Sequence, residues 1–229
     1  MDVALKRKII EHLKDFATPD RYERMQRVLE NRTSYLAVIL EDIYQPHNAS
    51  AVMRSCDCYG VQHVYSVENN NTLDISSGVT MKAHQWLSLH RYKSHEDNLL
   101  QCIKDVRDNG YLIAATSPHT DDVLLDELPL EKPVAFMFGA EKEGITPRAL
   151  EMADIRVRIP MYGFSESLNI SVSAAICLYQ TVSRLRKELS REKLALEEEE
   201  KSELLYKWLK QSIRRSALIE EKFLSGLEK

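Results

Sequence analysis

Short apolar, β-branched runs recur through the middle of the chain: Tyr35–Leu40 (YLAVIL), His63–Val67 (HVYSV), Tyr111–Thr116 (YLIAAT), Pro133–Phe138 (PVAFMF) and Ile155–Ile159 (IRVRI). Amphipathic stretches with helical periodicity separate them, at Ala49–Tyr59, Glu96–Asn109 and Pro147–Ala153, and a long one follows at Leu168–Leu189. Strands that are apolar throughout, alternating with helices, predict the α/β class, with a parallel sheet covered on both faces. Ligands of such sheets bind beyond the carboxyl ends of the strands, so the loops after these runs are the places to search.

The two ends of the chain have a different texture. Residues 1–34 read as two helices, about Val3–Phe16 and Asp20–Glu30, broken at Ala17-Thr18-Pro19-Asp20 by a proline and a capping residue. Past the acidic run Glu197–Glu200, a tail helix places Leu204, Leu205, Trp208, Leu209 and Ile213 on one face. Lys207, Lys210, Arg214 and Arg215 fall at helical spacing on another. The expected organisation is an N-terminal helical extension (1–34), a sheet domain (35–189) and a C-terminal helical extension (190–229).

At 229 residues, 44% hydrophobic and 29% charged, the chain has material for one compact core with extensions, which excludes a disordered or fibrous protein. A net charge of −4 hides an asymmetry. Residues 1–34 and 180–229 each carry a net +2, whereas 35–179 carries −8. The arms are either ordinary solvated helices or a grip for a large anionic substrate, with the chemistry in the core. No stretch reads as a signal peptide or a membrane span. Four cysteines (Cys56, Cys58, Cys102, Cys177) without a CxxC pair fit a reduced, cytoplasmic setting with neither disulfides nor a zinc site.

Three loops stand out. After YLAVILEDIY comes Gln45-Pro46-His47-Asn48-Ala49-Ser50-Ala51-Val52-Met53-Arg54, in which Asn48 is either a plain N-cap or a functional amide. Arg54 lies six residues on, about 240° round an ideal helix, so helical geometry alone does not put the two on one face. Its neighbours Ala51, Val52, Met53 and Cys56 are small or apolar. An arginine on a sheet-packed face there would call for a carboxylate or phosphate. After PVAFMF comes Gly139-Ala140-Glu141-Lys142-Glu143-Gly144-Ile145, where glycines bracket a charged tip and allow backbone to approach a ligand. After IRVRI comes the long loop 160–169, PMYGFSESLN, which leads into a helix rich in small residues. Ser167 or Asn169 is a natural cap for it. A P-loop, HExxH, GxSxG and dinucleotide fingerprint are all missing, and the histidines show no ligand spacing.

Taken together, PHNASAVMRSCDCYGV, FMFGAEKEGI and IPMYGFSESLNISVSAA resemble, in order and spacing, the three signature motifs of the SpoU/TrmH branch of the SPOUT RNA 2′-O-methyltransferases. The likeness covers about residues 35–180. It implies a fold that topology rules alone would exclude, a deep trefoil knot in the C-terminal part of the sheet domain. It also implies S-adenosylmethionine bound in that knot, with Thr116, Gly139, Ile159, Met161 and Leu168 lining the pocket, and no metal. An obligate homodimer with an active site shared across the interface is expected. The implied roles are Arg54 to grip a phosphate and polarise the ribose hydroxyl, either positioning it only or also accepting its proton through that contact, Asn48 to orient Arg54 or the ribose, and Glu141 to fix its loop, contact substrate or pair with a lysine. Ser167 and Asn169 would shape the third loop and hold the ribose-phosphate. The substrate implied is tRNA, at guanosine 18 of the D-loop, with Lys207, Lys210, Arg214 and Arg215 as RNA contacts. The short helical arms favour this over ribosomal RNA, another tRNA position stays an alternative, and the joint presence of Asn48, Arg54, Glu141, Ser167 and Asn169 argues against a non-catalytic RNA-binding member.

Overall fold

The computed structural model describes residues 2–117 and 122–227, apart from the Ser77 side chain. The chain divides into two compact units, Thr33–Leu194 and a second made jointly of the segments before Thr33 and after Leu194.

In the larger unit, seven strands form one sheet: β1 (Thr33–Glu41), β2 (Val61–Val67), β3 (Ser88–Tyr92), β4 (Leu112–Thr116), β5 (Val123–Leu124), β6 (Val134–Phe138) and β7 (Ile155–Arg158). Their order is β3-β2-β1-β6-β4-β7-β5, and every pairing is parallel. The strands β1 and β6 are almost wholly buried, which explains why they read as unbroken apolar runs.

Side chains alternate across the sheet and feed two cores. Leu36, Val38, Leu40 and Phe136 face one side, together with Val52, Met53 and Cys56 of α3 (Pro46–Tyr59) and Ala174, Cys177 and Leu178 of α7 (Ile170–Glu188). Ala37, Ile39, Ile113 and Met137 face the other, against Leu99, Ile103 and Val106 of α5 (Asn98–Asp108) and Ala149 of α6 (Pro147–Met152). The expected α/β architecture with both faces covered is therefore present. Because β6 sits between β1 and β4, the carboxyl ends of β1, β6, β4 and β7 adjoin, and the three conspicuous loops leave from three of them.

Several elements escape the sequence pattern. The edge strand β3 (SLHRY) is half-exposed and mixes polar with apolar residues, so it shows no apolar run. Residues 69–85 hold only α4 (Ser77–Thr80) and a short 3₁₀ turn, and α8 is the single turn Arg191–Leu194. Buried Asp42, itself at φ 49°, moors the start of the 69–85 segment by accepting from the backbone N–H groups of Asn69, Asn70 and Asn71. At the edge, Arg91 bonds Glu68 through two nitrogens at 2.7 Å. Burial pushes the Glu68 carboxyl up, but Arg91 and the Leu73 N–H hold it below its ordinary range.

The smaller unit contains α1 (Val3–Lys14), α2 (Pro19–Leu29), α9 (Glu198–Ser212) and α10 (Ser216–Leu227). Ile9, Ile10 and Leu13 of α1 are buried, as are Met25 and Leu29 of α2 and Leu204, Trp208 and Leu209 of α9. His12 stacks on Phe223 at 4.4 Å between ring centroids, and the Arg32 guanidinium lies over the Trp208 ring. The tail departs from the expected single helix. The helix α9 stops at Ser212, Arg215 takes a left-handed backbone (φ 61°), and α10 follows. Arg214 and Arg215 therefore sit in a turn, not on a helical face with Lys207. Lys210 is turned inward to Glu220 and Tyr206.

Candidate active site

The site begins with the way β1 ends. The Glu41 side chain, almost fully buried, accepts from Thr146 N at 2.9 Å and from Thr146 Oγ1 at 2.6 Å. Thr146 is in turn the N-cap of α6, accepting from Ala149 N. The far end of the 139–146 loop is thus tied to the end of β1. The near end makes the reciprocal connection. The Glu141 carboxylate accepts from Gln45 N at 3.2 Å and from Tyr44 N at 3.4 Å, at the start of α3. Neither Glu41 nor Thr146 stands out in the sequence as a site residue. The available signals are an acid closing an apolar strand and a Thr-Pro helix start.

Asn48 is not the cap that its position suggests. The N-cap of α3 is Gln45, with Pro46 as the first helical residue, and it makes no side-chain capping bond. The buried Asn48 amide instead donates to Glu141 Oε1 at 2.9 Å and to Gln45 Oε1 at 3.1 Å. Its own Oδ1 accepts from Asn169 Nδ2 at 3.1 Å. Asn169 caps α7, its Oδ1 accepting from Ser171 N at 2.8 Å and Ser171 Oγ at 2.6 Å. The orientation of both amides follows from the ends of this chain. A backbone N–H can only donate and a carboxylate only accept, so the bonds run Asn169 to Asn48 to Glu141. One network therefore locks the three loops together, and Asn169 both caps α7 and joins that network.

Around it opens a cavity of about 660 Å³, in the size range of small-molecule and cofactor sites. Thr116, Gly139, Ile159, Met161 and Leu168 all line it, together with Asn48, Glu141, Ser167 and Asn169. A Cβ on Gly139 would fall 2.1 Å from the Gly144 carbonyl carbon and oxygen and 2.2 Å from Ile145 N, so only glycine permits this fold-back. Gly144, at φ 71°, closes the same turn through its N–H to Ala140 O at 2.9 Å. Thr116 Oγ1 donates to Met137 O at 3.0 Å, which ties that hydroxyl to the neighbouring strand.

Arg54 lies elsewhere. It is exposed on α3, not buried against the sheet as its apolar neighbours Val52, Met53 and Cys56 are. With His47, Cys58, Val172, Ala175 and Tyr179 it lines a separate groove of about 770 Å³ between α3 and α7. The six-residue spacing has the effect that helical geometry dictates: Asn48 faces inward and Arg54 outward. Among the described residues no group of His, Cys, Asp or Glu is placed to hold a metal, and no helix is long and apolar enough to cross a membrane. Burial pushes the Cys177 thiol up to about 12, and Cys102 higher, so these two are core residues, not nucleophiles.

A cavity at the carboxyl ends of parallel strands, bordered by three loops that one hydrogen-bonded network joins, defines a class of protein whose family the relatives specify. The family model of the SpoU rRNA Methylase family matches residues 35–179, and the chain belongs to that family. It is 38% identical over 219 residues to the tRNA (guanosine(18)-2′-O)-methyltransferase of Borreliella burgdorferi, covering 96% of this chain and 97% of that protein. The crystal structure of the A. aeolicus TrmH/SpoU tRNA modifying enzyme superposes with a TM-score of 0.76 at 31% identity, covering 86% of this chain and 98% of the other. The 23S rRNA (guanosine-2′-O-)-methyltransferase RlmB of Nitrosomonas europaea is 33% identical over 162 residues, covering 70% of this chain but only 61% of its own length.

Proposed function

We propose that this protein transfers a methyl group from S-adenosylmethionine to the 2′-hydroxyl of a ribose in tRNA, at guanosine 18 of the D-loop. The observation that carries this reading is the convergence of the three family motifs, 93 and 121 residues apart in chain, on one hydrogen-bonded network beside a donor-sized cavity. The choice of tRNA over ribosomal RNA rests on the arms. Likeness to the Borreliella tRNA enzyme runs over both chains almost end to end, whereas likeness to the ribosomal enzyme leaves over a third of that protein unmatched. A tRNA-maturing role places the protein in the cytoplasm.

The cavity fits the donor in size, and the Gly139–Gly144 fold-back, which only glycine at 139 permits, forms part of its wall. S-adenosylmethionine supplies an electrophilic methyl on a sulfonium. A ribose hydroxyl is a poor nucleophile near neutral pH, so the protein must align it and lower the cost of its deprotonation. Asn48 and Glu141 fix the loops on which the acceptor rests, and Ser167 and Asn169 hold the ribose-phosphate. The Arg54 guanidinium, a forked donor suited to phosphate, grips the adjoining phosphate and polarises the hydroxyl, whose proton leaves to Arg54 itself or to solvent as the methyl group arrives.

Arg54 reaches the reaction from the groove between α3 and α7, whose exposed Val172 and Tyr179 ask for cover. A second copy of this chain seated there would complete the site, giving a homodimer with the active site shared across the interface. The likeness to the TrmH/SpoU structure supports a further element of the proposal, the trefoil knot in the C-terminal part of the sheet unit. The deciding experiment incubates the protein with labelled S-adenosylmethionine and separate pools of unmodified tRNA and ribosomal RNA, then maps the hydrolysis-resistant linkage. Label in tRNA at position 18 is expected, and label confined to ribosomal RNA would refute the assignment.

A further inference from the structure

Five aromatic side chains are exposed among the described residues: Phe16, Tyr44, Tyr162, Phe164 and Tyr179. Three of them stand on the loops that border the cavity. Tyr44 (72% exposed) precedes the cavity residue Gln45, and its backbone N–H reaches Glu141. Tyr162 and Phe164 (96% and 108% exposed) flank Gly163 in the third loop, between cavity residues Met161 and Ser167. Among the described residues none covers Tyr162 or Phe164, and Tyr44 is only slightly covered, so the two loops could carry polar residues at these positions with little loss of packing.

We propose that Tyr44, Tyr162 and Phe164 form a stacking rim for unpaired RNA bases at and beside the methylated nucleotide. The inference deepens the proposed function and rests on it. If a ribose places its 2′-oxygen at the mouth of the cavity, its base hangs from the adjacent carbon and must lie over the cavity's border. A folded RNA loop has to give up its own stacking to present that sugar, and flat apolar rings at the border replace what is lost. Ring faces stack on any base, so the rim supplies affinity for an opened loop while the identity of the base is read elsewhere. A base is the occupant because the rings border the cavity itself, at the place where the reaction requires an unstacked nucleotide.

The test uses the full chain and an unmodified tRNA transcript carrying 2-aminopurine at position 18, whose fluorescence is quenched on stacking. Wild-type protein is expected to change that fluorescence on binding. The double variant Tyr162→Ala/Phe164→Ala should abolish the change and raise KM for the normal transcript about tenfold. Tyr44→Ala should have a smaller effect of the same kind, and Tyr162→Phe with Phe164→Tyr should restore wild-type behaviour. Donor affinity by calorimetry and sedimentation coefficient should be unaltered throughout. An unchanged KM in the double variant, loss of donor affinity, or a shift in sedimentation would overturn the rim, the last assigning the rings to contact between copies. If 2-aminopurine responds and no methyl group is transferred, the rim stands and the proposed activity falls. If methyl transfer proceeds with no fluorescence response in wild type, the reverse holds.

Discussion

Asn169 Nδ2 donates to Asn48 Oδ1 at 3.1 Å, joining the start of α7 to the first turn of α3. Asn48 is 2% exposed and bonds in both directions, so truncating it strands the Asn169 amide and removes a donor from Glu141. Asn48→Ala should lower stability by about 1–3 kcal/mol, the cost of leaving such groups unmatched. Asn48→Asp should be worse above the carboxylate range, because it sets a second negative charge against Glu141. Denaturant melts of the two variants at neutral pH check both the size and the order.

Gly139 offers a sharper test of the donor cavity. A methyl group there would overlap the Gly144 carbonyl and Ile145 N at little more than 2 Å, and both are backbone that no rotamer change can move. Gly139→Ala should push the 139–145 turn out of place and reduce S-adenosylmethionine affinity at least tenfold. The sheet, whose core lies on the strand side of this turn, should still form. Titration calorimetry alongside circular dichroism separates these outcomes, and wild-type affinity in the variant would show that the fold-back is not part of the donor site.

The strands β1, β2, β4 and β6 are legible because burial on both faces imposes largely apolar runs, and β7 (IRVR) because its β-branched residues alternate with arginines, only Val157 being buried. The half-exposed β3 is not, since its environment asks for no such pattern. Residues lining the cavity came from motif resemblance, and physical spacing alone could not have gathered Thr116, Gly139 and Met161. Glu41 escaped notice because its partner, Thr146, is 105 residues away in the chain. The tail misread has a local cause as well. The apolar period through Leu209 and Ile213 continues past the point where the backbone turns, and nothing in the sequence marks Arg215 as a left-handed residue.

Glu41 and Thr146 should separate hydrogen bonding from charge. In Glu41→Gln the side-chain oxygen can still accept from Thr146 N while its amide donates to Thr146 Oγ1, so stability should stay within about 1 kcal/mol of wild type. Glu41→Leu has no such bonds. It should lose about 1–3 kcal/mol and also weaken donor binding, because the 139–146 loop is no longer tied to β1. Equal donor affinity in the two variants would mean that the tie serves folding alone.

Arg54 is exposed on α3 and packs no core, so Arg54→Ala should leave the melting temperature within about 2 °C, as for an ordinary surface substitution. Donor affinity should be unchanged, since the side chain does not line the cavity. Methyl transfer should nonetheless fall by at least a hundredfold in kcat. Turnover at the wild-type rate would remove Arg54 from the mechanism and, with it, the reason for a site shared between copies.

The basic residues of the tail should divide by environment. Lys207, Arg214 and Arg215 are exposed, and replacing all three with Ala should weaken tRNA binding and flatten its dependence on salt, as each lost phosphate contact releases fewer counterions. Lys210 should act on stability instead. Its ammonium is bonded to Glu220, which is 9% exposed, and to Tyr206. Glu220, and after it Tyr206, raises the Lys210 value above its ordinary 10.5. Burial pushes the Glu220 carboxyl up, but Lys210 and Tyr206 bring it below its ordinary 4.5. The stabilisation from Lys210 is therefore complete below 10.5 and lost as pH rises through its higher folded value. That from Glu220 is complete above 4.5 and lost as pH falls through its lower folded value. Melts of wild type against Lys210→Met should show the largest gap between those limits, closing at both extremes, while the salt slope of tRNA binding stays as in wild type. A gap independent of pH would assign Lys210 a packing role, and a flattened salt slope would return it to the RNA-binding set.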